Sequence, residues 1–298
     1  MLHAPKGRKA IVGIGDDAAA WKPSRSYLSV ITSDALVENV HFRLNDASFE
    51  QIGWRACAAN LSDIAAMGAR PILATISLGF PQRIESASII EMYRGIDALA
   101  RKENLEIAGG DITRSSELFI AMTVVGEVSP TSLKRRSGAR AGDVIAVTGP
   151  LGAARAALES KSSHQAPPRT REGMWLGRSR SVHAMMDISD GLAIDLARMA
   201  TASGCGALVD DVPVAPSATT LAETRKEDAA RYAASAGEDF ELLVAIAPRA
   251  FSYVSGQFKK RFGQPLLRVG TFRRTAGVAI KTAGGEAALT GGWDHLTR

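Results

Sequence analysis

The sequence predicts a mixed α/β fold arranged in two domains, and three observations support this prediction. A length of 298 residues is enough for two domains of ordinary size. Strand-like and helix-like segments alternate along the chain, as they do in α/β and α+β proteins. A basic, turn-rich segment, Arg135–Gly142, separates two such series of elements. Apolar residues make up 46% of the chain and charged residues 22%, which excludes a disordered chain, a collagen and a coiled coil.

The first series of elements is read from hydrophobic spacing and turn residues. β-Branched and apolar residues predict strands, and apolar residues at helical intervals predict helices. In chain order we expect a strand that ends at Asp34, a helix, a buried strand, a second helix, a short strand followed by a tight turn at Gly109-Gly110, and a strong strand. These segments are Ser26–Thr32, Ser48–Ala69, Pro71–Phe80, Glu85–Glu103, Ile107-Ala108 and Leu118–Val128.

The second series follows the basic segment and is read in the same way. We expect a strand, a helix, a mostly irregular stretch with Pro167-Pro168, a helix that Ser189 and Asp190 can cap, a strand, a helix that begins with proline, and a last strand. These segments are Asp143–Thr148, Gly149–Leu158, His164–Arg180, 189–202, Glu241–Ala247, Pro248–Phe262 and Leu266–Phe272.

Charge and motif searches exclude several classes of protein. The net charge of +5 is a mild, scattered excess, so we expect no nucleic-acid partner. No stretch approaches the roughly 20 apolar residues of a membrane helix, and no signal peptide is evident. The thiols Cys57 and Cys205 are then expected to be free in a reducing cytoplasm. The motifs GxxxxGK[ST], GxGxxG, GxSxG and HExxH are absent, which removes P-loop, dinucleotide-fold, serine-hydrolase and zinc-protease hypotheses.

Aspartates are the unusual feature, because they stand at predicted element boundaries beside small residues or, for Asp63, within an apolar helix. They are Asp16, Asp17, Asp34, Asp63, Asp111, Asp187 and Asp190. Each one alone has an ordinary explanation as a turn residue, a helix cap or a surface residue. If several converge, two carboxylates about 4 Å apart repel by roughly 4 kcal/mol at an effective dielectric constant near 20. Cations would then have to neutralise the site, and oxygen ligands favour Mg²⁺ shared with phosphate oxygens.

Taken in order, seven segments resemble the thiamine-monophosphate kinase family, which belongs to the superfamily of aminoimidazole-ribonucleotide synthetase. They are GIGDDAA (13–19), TSDALVENVHF (32–42), NLSDIAAMGARP (60–71), AGGDITR (108–114), RRSGARAGDVIAVTG (135–149), MDISDGLAIDLARMA (186–200) and AGEDFELL (236–243). The resemblance covers essentially the whole chain. It implies a two-domain PurM-like architecture, with an ATP- and Mg²⁺-binding domain over 1–137 that pairs across a homodimer, and a second α/β domain over 138–298.

The resemblance also implies an activity and a set of site residues. The activity is ATP-dependent phosphorylation of thiamine monophosphate to thiamine diphosphate by direct in-line transfer, without a covalent nucleophile, in the cytoplasm. Several Mg²⁺ ions would be held, directly or through water, by Asp17, Thr32, Ser33, Asp34, Asp63, Asp111, Asp187 and Asp190. ATP would contact Tyr93, Gly110, Asp111, Arg136 and Ser189. Thiamine phosphate would contact His41, Glu238 and Trp293.

Two other hypotheses remain open from the sequence. One is a different enzyme of the same superfamily, similar to aminoimidazole-ribonucleotide synthetase. The other is a non-catalytic, dimeric nucleotide-binding relative. Selenophosphate synthetase is disfavoured because no cysteine precedes Gly13, and HypE because no cysteine follows Trp293. The family pattern departs here only in small ways, such as Thr-Ser-Asp at 32–34 and GGDITRS at 109–115, and no predicted acidic ligand is lost.

Overall fold

The structure is a computed structural model that describes residues 26–162 and 164–293. Asp16 and Asp17, together with the GIGDD motif, lie outside the described residues. The strands are β1 (Leu28–Val37), β2 (Arg70–Phe80), β3 (Glu106–Arg114), β4 (Phe119–Val128), β5 (Val144–Val147), β6 (Val182–Asp187), β7 (Gly206–Val209), β8 (Leu242–Ile246), β9 (Leu267–Arg273), β10 (Val278–Thr282) and β11 (Gly285–Ala288). The α-helices are α1 (Phe49–Ala66), α2 (Ser86–Lys102), α3 (Ala153–Glu159), α4 (Thr170–Gly177), α5 (Leu192–Ala202), α6 (Pro216–Arg225), α7 (Ala229–Ala234) and α8 (Phe251–Phe262).

The chain divides into two compact units. The first contains the described residues up to Ile64 together with Ala69–Thr131, and the second contains Ala65–Gly68 and the chain from Ser132 onward. Two compact units with mixed helices and strands confirm the predicted α/β class. The functional division into residues 1–137 and 138–298 stays a prediction.

The first unit is built on a four-stranded sheet in the order β1-β4-β2-β3. β4 runs antiparallel to both β1 and β2, whereas β2 and β3 are parallel. The connection between β2 and β3 is the helix α2, as a parallel pair requires. The core residues of this unit include Leu61, Met92 and Ile120, all with 0% exposure.

The helices α1 and α2 touch at a pair of glycines. A Cβ atom on Gly53 would lie 1.9 Å from the carbonyl oxygen of Met92, and one on Gly95 would lie 1.9 Å from the carbonyl oxygen of Glu50. No real side chain fits such a gap, so the backbones meet directly at this crossing. The buried side chain of Ile96 also lies beside this crossing, with its Cγ1 3.2 Å from the position of a Cβ on Gly53.

Two sequence predictions for the first unit were wrong in detail. The first strand does not end at Asp34 but continues to Val37, because its register with β4 is unbroken from Leu28 to Val37. No tight turn follows Ala108 either, since β3 runs on through both glycines to Arg114. A bulge in the β2–β3 register, between Ala74 and Thr75, replaces the expected turn.

The second unit has a seven-stranded sheet in the order β11-β10-β7-β9-β5-β8-β6. Within it, β7 and β10 are parallel and the other neighbouring strands are antiparallel. Strands β5 and β8 are buried along their whole length. The helix α5 contributes Leu192, Leu196 and Met199 to the core, each with 0% exposure.

Two predictions for the second unit were also wrong. The stretch predicted as mostly loop contains the helix α4, which buries Leu176 completely and presents Trp175 to the edges of Phe258 and Phe262. Neither Ser189 nor Asp190 caps α5 through its side chain: the N-cap is Gly191.

Within the residues that the structure describes, none of the helices is both long enough and apolar enough to cross a membrane.

Candidate functional site

In the first unit, Thr32 and Asp63 form the central polar contact. The Oγ1 of Thr32 donates a hydrogen bond to Oδ2 of Asp63 over 2.5 Å. On the same face of the sheet, the backbone N–H of Asp34 donates to Oδ1 of Asn60 over 3.1 Å. Asn60 is itself fully buried, and its amide is fixed by a bond to the carbonyl of Ala56. Strand β1 and helix α1 therefore bring two predicted metal ligands, Thr32 and Asp63, into contact, and Asp34 follows two residues further along the same face of β1.

The other two predicted ligands of this unit lie on the opposite face of the sheet. Side chains alternate along a strand, so Ser33 points away from Thr32 and Asp34. Its Oγ accordingly lies 3.0 Å from Oγ1 of Thr123 on β4. The register Ala35–Ala121–Ser77–Asp111 places Asp111 on the Ala35 face, because residues in one row share a face. Three strand spacings, roughly 14 Å, separate β1 from β3.

These positions mean that the predicted ligands do not form one acidic group within the described residues. No set of three or more His, Cys, Asp or Glu side chains among them is placed to hold a metal ion. Thr32 and Asp63 are in contact and Asp34 lies on the same strand face as Thr32, whereas Ser33 and Asp111 lie on the opposite face. The assignment of each residue as a metal ligand stays a prediction.

Gly110 explains the geometry just before Asp111. A Cβ atom at Gly110 would lie 1.9 Å from the carbonyl oxygen of Ile76, so β3 approaches β2 too closely for any side chain. The bulge beside Ala74 changes the register immediately upstream. Together these features bring exposed Asp111 into register with Ser77 at the edge of the sheet.

His41 and Tyr93 occupy different elements of the first unit. His41 lies in the turn after β1, and its Nδ1 accepts the backbone N–H of Val37 over 3.0 Å. A nitrogen that accepts carries no proton, so this bond favours the neutral ring with its proton on Nε2. Tyr93 is half-buried on α2, and this burial raises the pKa of its hydroxyl.

In the second unit, three loops are joined by backbone hydrogen bonds that bring four predicted site residues together. The N–H of Glu238 donates to the carbonyl of Ser189 over 2.8 Å, and the N–H of Trp293 donates to the carbonyl of Asp190 over 2.9 Å. The fifth predicted residue, Asp187, is the last residue of β6, which leads directly into this loop. The loop 188–191 thus contacts both the loop of Glu238 and the segment of Trp293.

Local backbone geometry requires small residues around these contacts. A Cβ at Gly237 would lie 2.6 Å from the carbonyl oxygen of Ser189, and one at Gly292 would lie 2.8 Å from that of Asp190. Glu238 has a positive φ of 66°, which is uncommon for a residue with a side chain. Such a conformation persists only where the surrounding contacts impose it.

The side chain of Asp190 belongs to a triad with Asp195 and Arg198 that sequence reasoning missed. The Nη1 of Arg198 lies 2.5 Å from Oδ2 of Asp190 and 2.8 Å from Oδ1 of Asp195. Asp195 is fully buried, and this burial raises the pKa of its carboxyl to about 6 despite the neighbouring guanidinium. A signal was present in the sequence: Asp195 stands at helical spacing from Leu192 and Met199, where an apolar residue is expected.

Two buried acids directly after Glu238, Asp239 and Glu241, anchor this loop through hydrogen bonds and an ion pair. The carboxylate of Asp239 accepts the N–H groups of Gly152 and Ala154 at the start of α3, and burial raises the pKa of Asp239 to about 7. Glu241 forms a bidentate ion pair with Arg169, of which the Nε–Oε2 bond measures 2.8 Å. Both acids were present in the AGEDFELL motif, but sequence reasoning assigned no role to them.

Arg136 lies beside the edge strand β6, at some distance along the chain from Ser189, the other predicted ATP residue of this unit. The carbonyl of Arg135 accepts the N–H of Met185, and Oγ of Ser203 donates to the carbonyl of Arg136 over 3.3 Å. The same Oγ accepts the N–H groups of Gly138 and Ala139. The backbone of this segment is therefore fixed, while the side chain of Arg136 is exposed.

Comparison with known proteins identifies the class to which this fold belongs. Residues 15–128 match the AIR synthase related protein N-terminal domain, and residues 140–254 match the corresponding C-terminal domain. These matches define an AIR synthase related protein. A thiamine-monophosphate kinase from Rhodopirellula baltica is 37% identical over 270 residues, which cover 87% of this chain and 82% of that protein. The chain belongs to the thiamine-monophosphate kinase family, as its motifs predicted.

Solved structures agree with this assignment and with the predicted PurM-like architecture. The thiamine-monophosphate kinase of Stenotrophomonas maltophilia aligns with a TM-score of 0.83 at 32% identity, over 92% of each chain. A structure of AaThiL complexed with AMPPCP and TMP aligns with a TM-score of 0.79 at 28% identity, over 92% of this chain and 89% of that one.

Proposed function

We propose that the protein transfers the γ-phosphoryl group of ATP to thiamine monophosphate and so forms thiamine diphosphate. Family membership supports this reaction, as does the relative that was solved with AMPPCP and TMP. The observation within this chain that carries the proposal is the junction of the 188–191, 235–241 and 291–293 loops. It joins Asp190, a predicted metal ligand, to Trp293, and the neighbouring Ser189 to Glu238. Because ATP is the donor, we also propose a cytoplasmic location.

The chemistry of this transfer does not require a strong general base. The attacking atom is a phosphate oxygen, which is already anionic at neutral pH, so the protein must align two anionic phosphates and reduce their repulsion. Bound Mg²⁺ supplies that charge neutralisation. We propose that Asp34, Asp63 and Thr32 would hold one Mg²⁺ ion on the phosphate chain. Asp111, Asp187 and Asp190 would hold other Mg²⁺ ions. Ser33 and Asp17 complete the predicted ligand set.

The donor set fits magnesium although no three acidic groups cluster in the described residues. Mg²⁺ prefers oxygen ligands, keeps several waters and is bound by one or two carboxylates plus substrate phosphates. The close approach of Asp63 and Thr32 offers a carboxylate and a hydroxyl of that kind. Separate positions of Asp34 and Asp111 are then expected, because the proposal assigns them to different ions.

ATP and thiamine phosphate would use the remaining predicted residues. We propose that Gly110, Ser189, Arg136 and Tyr93 contact ATP. His41, Glu238 and Trp293 would contact thiamine phosphate, whose thiazolium ring is a cation. The half-buried indole of Trp293 can attract that cation through its face.

Replacing the indole tests this role. We expect Trp293→Ala to raise KM for thiamine monophosphate by about tenfold, the effect of losing a cation–π contact of 1–2 kcal/mol. KM for ATP should change much less. Steady-state kinetics with each substrate varied in turn gives both values, and a larger effect on ATP would show that the two substrates are assigned to the wrong residues.

We further propose that the protein is a homodimer that pairs through the first unit. Ile31 on β1 is 71% exposed, on the face opposite to Asp34, and Tyr27, immediately before β1, is 46% exposed. Exposed apolar residues grouped on one sheet face are typical of an interaction surface.

A charge on this face should separate the dimer. We expect Ile31→Asp to produce monomers in gel filtration with light scattering, because an interface buries the carboxylate without a partner. Tyr253→Asp is the matched control, since Tyr253 is also 71% exposed but lies on α8. A dimeric Ile31→Asp protein would locate the interface elsewhere.

The proposed reaction is tested by incubating the purified protein with ATP, MgCl₂ and thiamine monophosphate and measuring thiamine diphosphate by chromatography. We expect product that disappears on addition of EDTA. Formylglycinamidine ribonucleotide in place of thiamine monophosphate tests an activity like that of aminoimidazole-ribonucleotide synthetase. Tight ATP binding without ADP release in either mixture would instead favour a non-catalytic nucleotide-binding protein.

A further inference from the structure

The buried carboxylate of Asp195 on α5 forms hydrogen bonds with the backbone of Asp190 and with Arg198, which also pairs with the side chain of Asp190. Its Oδ2 accepts the backbone N–H groups of Asp190 and Gly191, at 3.0 and 3.1 Å. Its Oδ1 accepts Nη1 of Arg198, the same nitrogen that contacts Oδ2 of Asp190. We propose that Asp195 is a positioning residue that keeps Asp190 in place and available as an anionic metal ligand. This inference rests on the proposed function, in which Asp190 binds Mg²⁺.

The backbone bonds fix where Asp190 stands. Asp195 holds the N–H side of the Asp190 peptide, while the carbonyl of Asp190 accepts the N–H of Trp293. The turn is therefore held from both sides, by α5 and by the C-terminal segment. A shift of the turn would move the predicted metal ligand and the predicted substrate residue together.

The ion pairs determine how much negative charge Asp190 offers to a cation. Asp190, Asp195 and Arg198 together carry a net charge of −1 when all three are ionised. Arg198 contacts only Oδ2 of Asp190, and within the part of the chain that the structure describes no hydrogen bond engages Oδ1. Without the charge of Asp195, Arg198 would pair with Asp190 alone, and the cluster would become neutral. A neutral cluster attracts a divalent cation less strongly than an anionic one.

A purely structural role, limited to the hydrogen bonds that Asp195 accepts from the backbone of Asp190 and Gly191, makes a different prediction. In that case, restoring the charge balance of the cluster would not restore Mg²⁺ binding. The two roles are separated by a second substitution that restores the charge balance without restoring the carboxylate of Asp195. Asp195→Asn combined with Arg198→Gln has this property, because Asp190 is then the only charged member of the cluster.

The experiment measures Mg²⁺ binding by titration calorimetry, in mildly alkaline buffer with a non-hydrolysable ATP analogue present. We expect Asp195→Asn to weaken Mg²⁺ binding about tenfold, as is usual when a residue that orients a metal ligand is replaced. Asp195→Asn/Arg198→Gln should recover most of that loss. Asp228→Asn is the control, since Asp228 caps α7 through the N–H of Arg231 and should leave Mg²⁺ binding unchanged.

Two results would overturn the inference: wild-type Mg²⁺ affinity in Asp195→Asn, or a double variant that binds more weakly than the single one. If Asp195→Asn does not fold, Arg198→Gln tests the same charge argument with the opposite sign, and weaker Mg²⁺ binding in that variant would contradict it. Kinase assays run in parallel keep the two proposals distinct. If the Mg²⁺ affinities of the variants follow the expected order but the protein forms no thiamine diphosphate, the proposed reaction is wrong and the role of Asp195 is supported.

Discussion

Asp63→Asn is expected to reduce the turnover of thiamine monophosphate by at least about 100-fold, the scale seen when one preorganised electrostatic group is removed from an active site. The substitution keeps the shape of the side chain, and its amide oxygen can still accept the hydrogen bond from Thr32. Only the negative charge is lost. The folded state should therefore persist, while the ability to bind a divalent cation does not. Initial rates at saturating ATP and Mg²⁺ measure the effect.

The control for this experiment is Asp97→Asn. Asp97 is an exposed acid on α2 that pairs with Arg101 and is not a predicted ligand. It should retain the activity of the unaltered protein. Circular dichroism and gel filtration of both variants establish that they are folded to the same extent. An Asp63→Asn protein with an undiminished rate would remove Asp63 from the proposed metal site.

Arg169→Met is expected to cause the largest loss of stability. Its partner Glu241 is 5% exposed and would remain as a buried carboxylate without a cation. Breaking a buried ion pair in this way costs about 3–5 kcal/mol of unfolding free energy. For a protein of this size that corresponds to a decrease in Tm of roughly 10 °C. Calorimetric unfolding scans provide the measurement.

Two further variants test the explanation. Arg169→Met/Glu241→Met removes both charges and should recover much of the stability, because no buried charge is left unpaired. Arg101→Met breaks an exposed pair on α2 and should cost less than about 0.5 kcal/mol. A single Arg169 variant that unfolds no earlier than the Arg101 variant would show that water or another group compensates Glu241.

The parts of the fold that could be predicted from the sequence are those with local periodicity. The helices near 49–66 and 86–102 have apolar residues at regular helical intervals, and the strand 119–128 is dense in β-branched residues. Each of these patterns is complete within its own segment. The order of the strands in each sheet was not predicted, because it depends on pairing between distant segments.

The errors arose where contacts distant in sequence decide the local structure. The pair Gly109-Gly110 is typical of a turn, but here it allows β3 to approach the carbonyl of Ile76 within an unbroken strand. The helix α4 lacks a long apolar pattern, and it forms where Gly173 packs against the carbonyl of Ala65 and Leu176 enters the core.

The candidate site was predictable by residue type but not by arrangement. Small residues stand beside Asp190 and Glu238 in the sequence, and in the structure they allow close backbone contacts there. That Ser33 and Asp111 lie on the sheet face opposite to Asp34 follows only from the alternation of side chains along β1 and from the register of the four strands. The triad around Arg198 was missed because its contacts join α5 to the loop before it, and the sequence does not show which side chains meet there.

The glycine contact between α1 and α2 has a consequence for distant substitutions. Gly53 and Asp63 are ten residues apart on one helix, or about 15 Å along its axis. Because a methyl group at Gly95 has no space, it would displace α1 as a rigid rod rather than deform it locally. Such a displacement would move Asp63 relative to Thr32 and weaken the contact between them. A proposed metal site can therefore be disturbed by a substitution at a distant glycine that has no side chain of its own.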